Sequence, residues 1–254
     1  MHALDPRLEH IQDILRKTHI VIPTYNERHN IVLLIEQIAQ LYQFPSLNVW
    51  VADDSSPDGT AEAVAELSSR YPNVHVIVRR EDRGYGRASL DGIRAALAHG
   101  AEYVVTMDAD FSHEPVTIGK MLAAIESFDV VIGSRYVSSD ESSVENWSAL
   151  RLAGSRCMNT YVRLLTGVNA RDATSGFRCY RADVLRKVLS AGRHATGFAF
   201  LPETLFLVGM AGARITEVSN LYQGRTRGES KLNWKILLEY LWIPLRLRLS
   251  RPRI

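Results

Sequence analysis

The sequence predicts an α/β fold in which a mostly parallel, Rossmann-like sheet is flanked by helices, and three observations support this. The chain has 254 residues, 46% of them hydrophobic, which is enough for one substantial core. Its first half alternates short apolar runs with helical patterns, as βαβ units and parallel sheets do. Polar clusters follow the apolar runs, at the sheet edge where ligands bind in such folds.

Five apolar runs predict the strands of this sheet. They lie at residues 19–23, 47–52, 74–78, 103–107 and 129–133. Stripes of apolar residues at i, i+3, i+4 and i+7 begin at Ile31 and Ile118 and predict helices between the strands. A third, weaker stripe begins at Leu90.

The second half is less regular. Residues 147–165 and 198–210 have helical patterns, and residues 174–180 are expected to form a strand or loop. A final amphipathic helix follows, which Pro244 is expected to end or kink.

We find no repeat, linker or low-complexity tract. The simplest division is therefore one main domain (19–232) with an N-terminal extension (1–18) and a basic amphipathic C-terminal helix (233–254).

Composition narrows the class of protein. The formal net charge of +2 gives no overall attraction to nucleic acid. Cys157 and Cys179 have no metal-ligand spacing, so a disulfide scaffold is not expected and a reducing compartment is the default. The N-terminus lacks the apolar core of a signal peptide. The apolar stretch at 236–245 is shorter than the roughly 20 residues that span a bilayer, so we expect surface contact with a membrane rather than a crossing.

Asp108-Ala109-Asp110 closes the fourth apolar run. In an extended backbone, side chains two positions apart project to the same side, so both carboxylates would face one point. They repel each other unless a cation lies between them, and oxygen ligands suit Mg²⁺ or Mn²⁺, which commonly also bind phosphate. A solvent-exposed turn can have the same sequence, so the predicted cation site depends on the neighbouring loops.

The loops after the first two strands suit a nucleoside. Residues 23–27 offer a tyrosine ring and a carboxylate, although Asn26 and Glu27 equally suit the start of a helix. Asp53 and Asp54 end the second strand, and two adjacent carboxylates need something that offsets their repulsion. A base or ribose would do so.

The loop after the third strand, Arg83-Gly84-Tyr85-Gly86, has two glycines that permit a tight turn and close approach to a ligand. It lacks the third glycine of the dinucleotide fingerprint and does not follow the first strand. This argues against a nicotinamide-dependent dehydrogenase.

Several cationic residues follow the later elements. Arg135 comes after the fifth strand, Arg151 and Ser155 have helical spacing, and further cations lie at 172–178 and 225–231. Each alone is commonly a solvated surface residue. Together on one sheet edge they suit phosphate oxygens, two of which one arginine can bind at once.

Six motifs carry a family resemblance: VIPTYNE (21–27), DDSSPDGT (53–60), MDADFSHEP (107–115), GSRY (133–136), TSGFRCYR (174–181) and RGESKL (227–232). Their set and order resemble the dolichyl- or polyprenyl-phosphate mannose synthases, inverting glycosyltransferases of family 2 with the GT-A fold. The resemblance spans residues 19–232. One departure is Ser55, where the family often has glycine.

The resemblance implies the roles of individual residues. The nucleotide sugar would be bound by Pro23, Tyr25, Glu27, Ala52, Asp54, Asp108, Ala109, Asp110, Arg135, Arg225 and Lys231. The acceptor phosphate would be bound by Arg135, Arg151 and Ser155, and the metal by Asp108 and Asp110. Asp110 and Arg135 would be the catalytic residues.

The implied reaction is the metal-dependent transfer of mannose from GDP-mannose to dolichyl or polyprenyl phosphate. A phosphate monoester is already anionic at neutral pH, since its second pKa is about 6, so no general base is required. We expect a peripheral enzyme on the cytoplasmic face of a membrane, either alone or with membrane-spanning partner subunits. The C-terminal helix would contact the membrane surface or pack on the protein itself.

Two alternatives stay open. One is a family 2 transferase that uses another nucleotide sugar, such as UDP-glucose, or a saccharide acceptor. The other is a non-catalytic subunit that binds a sugar nucleotide in a membrane complex.

Overall fold

The structure, a computed structural model, describes residues 6–137, 148–192, 194–220 and 234–250, which form seven strands and nine helices. The strands are β1 Thr18–Thr24, β2 Asn48–Asp53, β3 Val74–Val78, β4 Tyr103–Thr106, β5 Val130–Ser134, β6 Arg178–Arg181 and β7 Ile215–Ser219. The helices are α1 Pro6–Arg16, α2 Arg28–Tyr42, α3 Thr60–Arg70, α4 Tyr85–Ala98, α5 Thr117–Ile125, α6 Ala149–Thr166, α7 Ala182–Ser190, α8 Phe200–Met210 and α9 Trp234–Ser250.

The strands form one mixed sheet in the order β3-β2-β1-β4-β6-β5-β7. Strand β6 runs antiparallel to both of its neighbours, β4 and β5, and the other neighbouring strands are parallel. The α/β class and the mostly parallel sheet are therefore confirmed. The carboxyl ends of β1, β2, β4 and β5 lie at the same edge of the sheet, and the predicted site residues follow these ends.

Apolar cores lie on the two faces of the sheet. On one face α2 and α5 bury the predicted stripes, and Ile31, Ile35 and Ile118 are fully buried there. On the other face α4, α7 and α8 cover residues such as Val104 and Ile132. The amphipathic patterns thus became helices because each had a sheet face against which to bury its apolar stripe.

The five predicted strands are confirmed to within one residue, and β3 has the predicted bounds, whereas the strand or loop expected at 174–180 is a strand only from Arg178, in β6. Pro244 was expected to end or kink the last helix. It does not end it, because α9 continues to Ser250, and the kink stays a prediction. A proline removes one backbone hydrogen bond of a helix, and the helix continues in spite of this loss. Helices α1 and α7 and strand β7 were not predicted from the sequence.

Helix α9 packs against α6 and α8, with Leu247 buried and the Leu241 carbonyl accepting a 2.6 Å hydrogen bond from the Tyr161 hydroxyl. Its other side is exposed and apolar, at Leu238, Leu241, Trp242, Leu245 and Leu249. One side of the helix therefore packs on the protein, and contact of the exposed side with a membrane stays a prediction. None of the helices in the described ranges has the length and apolar character needed to cross a bilayer.

Candidate active site

The turn that follows β4 carries the two predicted cation ligands. The strand ends at Thr106 and the chain bends at Ala109 and Asp110, so the extended backbone that we assumed for this segment is wrong. The cause is local hydrogen bonding. The Asp108 N–H donates to His113 Nδ1 at 2.9 Å, and the Ser112 N–H donates to the Asp110 carboxylate at 3.1 Å.

His113 lies beneath this turn. It is buried, and its ring stacks on Phe177 with centroids 4.8 Å apart. Burial lowers the pKa of His113, while the charges of Asp108 and Asp110 act in the opposite direction. Both carboxylates therefore lie within electrostatic range of this imidazole.

A tyrosine from the loop after β3 reaches the turn from the side. The Tyr85 hydroxyl donates to Asp108 Oδ1 at 3.1 Å, and its ring stacks on Phe198 with centroids 4.5 Å apart. Gly176 faces the same hydroxyl from the segment before β6. Three loops therefore meet at Asp108.

The donor atoms of the turn fit a hard divalent cation. Among the described residues, no group of three or more His, Cys, Asp and Glu side chains is arranged to hold a metal. Mg²⁺ is usually bound by one or two carboxylates, with water and substrate phosphate as the other ligands. Asp108 and Asp110 match that pattern, and a cation there would share its coordination with a phosphate.

The adjacent carboxylates at the end of β2 are stabilised by the protein itself. Asp53 accepts from the Thr24 hydroxyl at 3.0 Å and from the Ser56 N–H at 2.8 Å. Asp54 is paired with the buried guanidinium of Arg79 and accepts from the Gly84 N–H at 2.7 Å. Their repulsion is thus offset without a nucleoside, contrary to the prediction, and the assignment of Asp54 to the nucleotide site stays a prediction.

The two glycines after β3 pack against protein. A Cβ on Gly84 would lie 2.6 Å from the Thr196 carbonyl oxygen, and one on Gly86 would collide with the Ala195 carbonyl oxygen. The Thr196 oxygen also accepts from the Gly86 N–H at 2.8 Å. The close approach that we predicted for a ligand is thus an approach of the 195–197 segment to the start of α4.

Arg135 is held by a buried carboxylate. Its Nε and Nη2 donate to the two oxygens of Asp172 at 2.7 and 2.6 Å, and Nη2 also donates to the Thr174 hydroxyl at 2.8 Å. Burial alone would raise the pKa of Asp172, but the charge and hydrogen bonds of Arg135 outweigh it and hold that pKa below its usual value. The guanidinium is therefore fixed before any phosphate binds.

A second arginine, Arg178, lies fully buried beneath this pair. It donates to the carbonyls of Leu201 and Ala173 at 2.8 and 2.9 Å and to the Thr204 hydroxyl at 3.0 Å. Its charge also favours the ionised form of Asp172. Arg178 therefore stabilises the segment that carries Asp172.

Two of the predicted acceptor residues, Arg151 and Ser155, lie on α6. The Tyr136 hydroxyl donates to Ser155 Oγ at 2.7 Å, which places Ser155 next to the chain that follows β5. Arg151 is exposed in the first turn of α6, where its N–H donates to the N-cap hydroxyl of Ser148. Arg225 and Lys231 lie outside the described residues.

The remaining predicted nucleotide-site residues differ in exposure. Tyr25 is exposed, and the Glu27 carboxylate accepts from the Asn30 side chain at 2.8 Å. Pro23 is half-buried, Ala109 is buried, and the fully buried Ala52 could contact a nucleotide only through its main chain. Asn26 does not cap α2, since the residue in the N-cap position is Glu27, which makes no side-chain cap hydrogen bond.

Residues 19–189 match the sequence model of Glycosyl transferase family 2. The chain belongs to this family. It is therefore a glycosyltransferase, as the motifs predicted.

Three curated relatives extend the match. The chain is 36% identical over 229 residues to a polyprenol monophosphomannose synthase of Mycolicibacterium smegmatis, covering 89% of this chain and 85% of that protein. It is 36% identical over 219 residues to an undecaprenyl-phosphate mannosyltransferase of Micrococcus luteus, covering 86% and 88%. It is 37% identical to a dolichol-phosphate mannosyltransferase of Pyrococcus furiosus, covering 89% of this chain and 62% of that protein. These matches confirm the mannose-synthase resemblance.

Solved structures share the fold. Glucosyl-3-phosphoglycerate synthase from Mycobacterium tuberculosis, in complex with Mn²⁺, UDP and phosphoglyceric acid, aligns with a TM-score of 0.66 at 17% identity, covering 99% of this chain and 86% of that one. The same enzyme with Mg²⁺ and UDP aligns equally well, with a TM-score of 0.66 over 98% and 85% of the two chains. At this identity the likeness shows the fold, an α/β fold of the GT-A type.

Four residues of this glycosyltransferase were not given roles from the sequence: Arg79, Tyr85, His113 and Asp172. Tyr85, His113 and Asp172 lie within the polar segments that indicated the site, and that position was the sequence signal that could have pointed to them. What the sequence did not show is that their side chains face other segments. Arg79 had no such signal, because it looks like one of several surface arginines after β3.

Proposed function

We propose that this glycosyltransferase transfers mannose from GDP-mannose to a polyprenyl phosphate such as dolichyl phosphate, with inversion at C1 of the sugar. The observation that carries the proposal is the 36% identity to a polyprenol monophosphomannose synthase over 89% of the chain. The arrangement of Asp108, Asp110, Arg135 and Ser155 at one sheet edge supports it.

The departure of GDP is the step that most requires catalysis, because negative charge builds up on the diphosphate leaving group. A divalent cation, Mg²⁺ or Mn²⁺, bound at Asp108 and Asp110 would supply the compensating charge. Asp110 is held in place for this role by the Ser112 N–H. In this proposal Tyr25, Glu27 and Asp54 bind the guanosine, with Arg225 and Lys231 near the diphosphate.

The attacking group is the acceptor phosphate. It is an anion at neutral pH, since its second pKa is about 6, and it can attack without a general base. His113 is buried and its Nδ1 accepts the Asp108 N–H, so it supports the turn and does not serve as a base.

Two anionic groups must approach each other for the reaction, and in this proposal Arg135 reduces their repulsion. Its guanidinium is fixed by Asp172, so it need not reorganise as charge develops in the transition state. Ser155, and Arg151 one helical turn earlier on α6, would bind the acceptor phosphate. The neighbouring Tyr136–Ser155 hydrogen bond joins α6 to the Arg135 segment.

A lipid acceptor requires contact with a membrane, and the exposed sides of α6 and α9 suit one. On α6, Leu150 and Leu164 are 85% and 78% exposed. The same helix contains Arg151, Arg156 and Arg163 and no acidic residue. Apolar surface flanked by arginines binds the interface of an anionic bilayer, so we place the enzyme peripherally on the cytoplasmic face.

Flotation with anionic liposomes tests this placement. Wild-type protein is expected to float, and removal of residues 233–254 or the double change Leu150→Asp and Leu164→Asp is expected to reduce the floating fraction. Leu33→Asp, at an exposed leucine on α2, is the control. Equal flotation of all variants would refute the placement.

The transferase proposal is tested by incubating the purified chain with labelled GDP-mannose, Mg²⁺ and a polyprenyl phosphate, then extracting labelled lipid. Label in the lipid from GDP-mannose, and not from UDP-glucose, is expected. The reverse preference would favour the UDP-glucose alternative, and no transfer from either would favour a non-catalytic subunit. Activity of the chain alone would also show that no membrane-spanning partner is needed.

Asp110→Ala is expected to abolish transfer at every Mg²⁺ or Mn²⁺ concentration, because the cation loses one of its two carboxylates. Asp183→Ala, at an exposed carboxylate on α7, is the control and should retain activity. Turnover of Asp110→Ala near that of the control would contradict the metal role.

A further inference from the structure

We propose that Tyr85 is a positioning residue that fixes the orientation of the Asp108 carboxylate, and that residue 176 is glycine because the Tyr85 hydroxyl needs its space. The inference rests on the proposed function, in which Asp108 is a cation ligand. It adds the first residue of α4 to the determinants of metal affinity.

The position of the Tyr85 hydroxyl is set from several directions. Tyr85 is the first residue of α4, whose start is attached to the 195–197 segment through the 2.8 Å hydrogen bond from the Gly86 N–H to the Thr196 oxygen. Its ring lies almost parallel to that of Phe198, at 19° and 4.5 Å. In this position the Tyr85 hydroxyl lies 3.1 Å from Asp108 Oδ1.

Gly176 borders the same hydroxyl. Its φ lies outside the left-handed region, so the backbone does not require glycine. An added Cβ would lie 2.6 Å from the Tyr85 oxygen but 3.5 Å from Asp108 Oδ1 and 3.7 Å from His113 Cε1. The Tyr85 oxygen is therefore the atom that excludes a side chain here.

The Gly176 backbone cannot easily move away from this contact. Its carbonyl accepts from the buried Thr106 hydroxyl at 2.8 Å, and the next residue, Phe177, is fully buried beneath His113. A methyl group at position 176 would thus displace the phenol from Asp108 and leave the segment in place.

The orientation of a carboxylate matters to a cation with strict geometry. Mg²⁺ requires near-octahedral ligands, and a carboxylate that rotates freely presents its oxygens in many directions. A hydrogen bond to one oxygen restricts that rotation. Loss of such supporting contacts typically weakens metal binding about 10- to 100-fold.

A double-mutant cycle with Tyr85→Phe and Gly176→Ala tests the inference. Mn²⁺ binding is measured by electron paramagnetic resonance with GDP present and absent, together with the melting temperature and the Mg²⁺ dependence of transfer. Tyr85→Phe is expected to weaken Mn²⁺ binding about tenfold, at the lower end of that range. Gly176→Ala is expected to do the same, and excess metal should restore kcat in both.

The double variant is expected to bind Mn²⁺ as Tyr85→Phe does, because the new methyl group no longer meets an oxygen. Tyr161→Phe, which removes a hydroxyl between α6 and α9, is the matched control and should bind Mn²⁺ like the wild type.

Several results would overturn the inference. They are wild-type Mn²⁺ affinity in Tyr85→Phe, losses that multiply in the double variant, or a fall in kcat that excess metal does not restore. If Gly176→Ala does not fold, Tyr85→Phe alone decides. A wild-type protein that binds no Mn²⁺ with GDP would refute the proposed cation site itself, a result distinct from a wild-type site that is insensitive to Tyr85.

Discussion

Acidification is expected to destabilise the protein through His19, the second residue of β1. The His19 ring is buried, and its Nδ1 accepts a 3.1 Å hydrogen bond from the Trp50 indole N–H, so this nitrogen cannot take a proton without losing that bond. Burial, reinforced by the nearby His75 and His99, lowers the pKa of His19 to about 4.

The size and sign of the effect follow from the difference between the folded and unfolded pKa values. The unfolded value is 6.5 and the folded value about 4. Below pH 6.5 the unfolded chain binds a proton that the folded protein does not. The contribution of His19 to the free energy of unfolding is therefore fully present above pH 6.5 and is lost as the pH drops toward 4. At 1.36 kcal/mol per unit this amounts to about 3 kcal/mol, a large share of a typical stability of about 5–15 kcal/mol.

Urea unfolding followed by tryptophan fluorescence at pH 7 and pH 4.5 measures this loss. The variant His19→Gln keeps an acceptor for the indole but does not titrate, so it should lose less stability than the wild type by most of that amount. His29→Gln, at an exposed histidine on α2, is the control. An equal pH dependence in His19→Gln and wild type would refute the assignment.

Three further predictions concern the site and its support. Asp172→Asn removes the charge that fixes Arg135 and is expected to lower kcat/KM about a hundredfold in the lipid transfer assay, as small misplacements of catalytic groups do. Near-normal kcat/KM would contradict it. Arg79→Met breaks a buried ion pair and is expected to cost about 3–5 kcal/mol in denaturant unfolding. A loss under about 1 kcal/mol would show that the pair is not needed for stability. Gly86→Ala adds a Cβ against a carbonyl oxygen and should lower the free energy of unfolding by about 1–3 kcal/mol. In α6, Gly154→Ala adds a Cβ that meets nothing within 4 Å and should raise the free energy of unfolding by up to about 1 kcal/mol. Equal effects of the two alanines would contradict the packing argument.

The regular part of the fold could be predicted because burial leaves a local pattern. The apolar run of β3 and the stripes of α2 and α5 each reflect contact with a single surface, so each is readable within a few residues. Strand pairing is not local. Nothing near Arg178 in the sequence indicates that β6 runs antiparallel between β4 and β5.

The charged residues of the site could be predicted from the sequence, but the residues that hold them in place could not. Asp108, Asp110 and Arg135 follow strand ends, and parallel strands place such residues at one edge. The support of the Asp108 turn comes from Tyr85 and Gly176, which lie far away in the sequence. A side chain that serves another side chain leaves no spacing pattern, so only the structure identifies it.

The position of β6 has a consequence for synthesis of the chain. Strand β4 pairs with β1 on one side and with β6 on the other, and β5 reaches the rest of the sheet only through β6. While the ribosome is still making the segment after β5, β4 has an open hydrogen-bonding edge that could pair with another nascent chain. Residues 178–181 close that edge, and the segment just before them completes the Asp108 turn. Pairing of β6 with β4 therefore closes the open edge of the nascent sheet and, in the same step, brings Gly176 and Phe177 to the Asp108 turn.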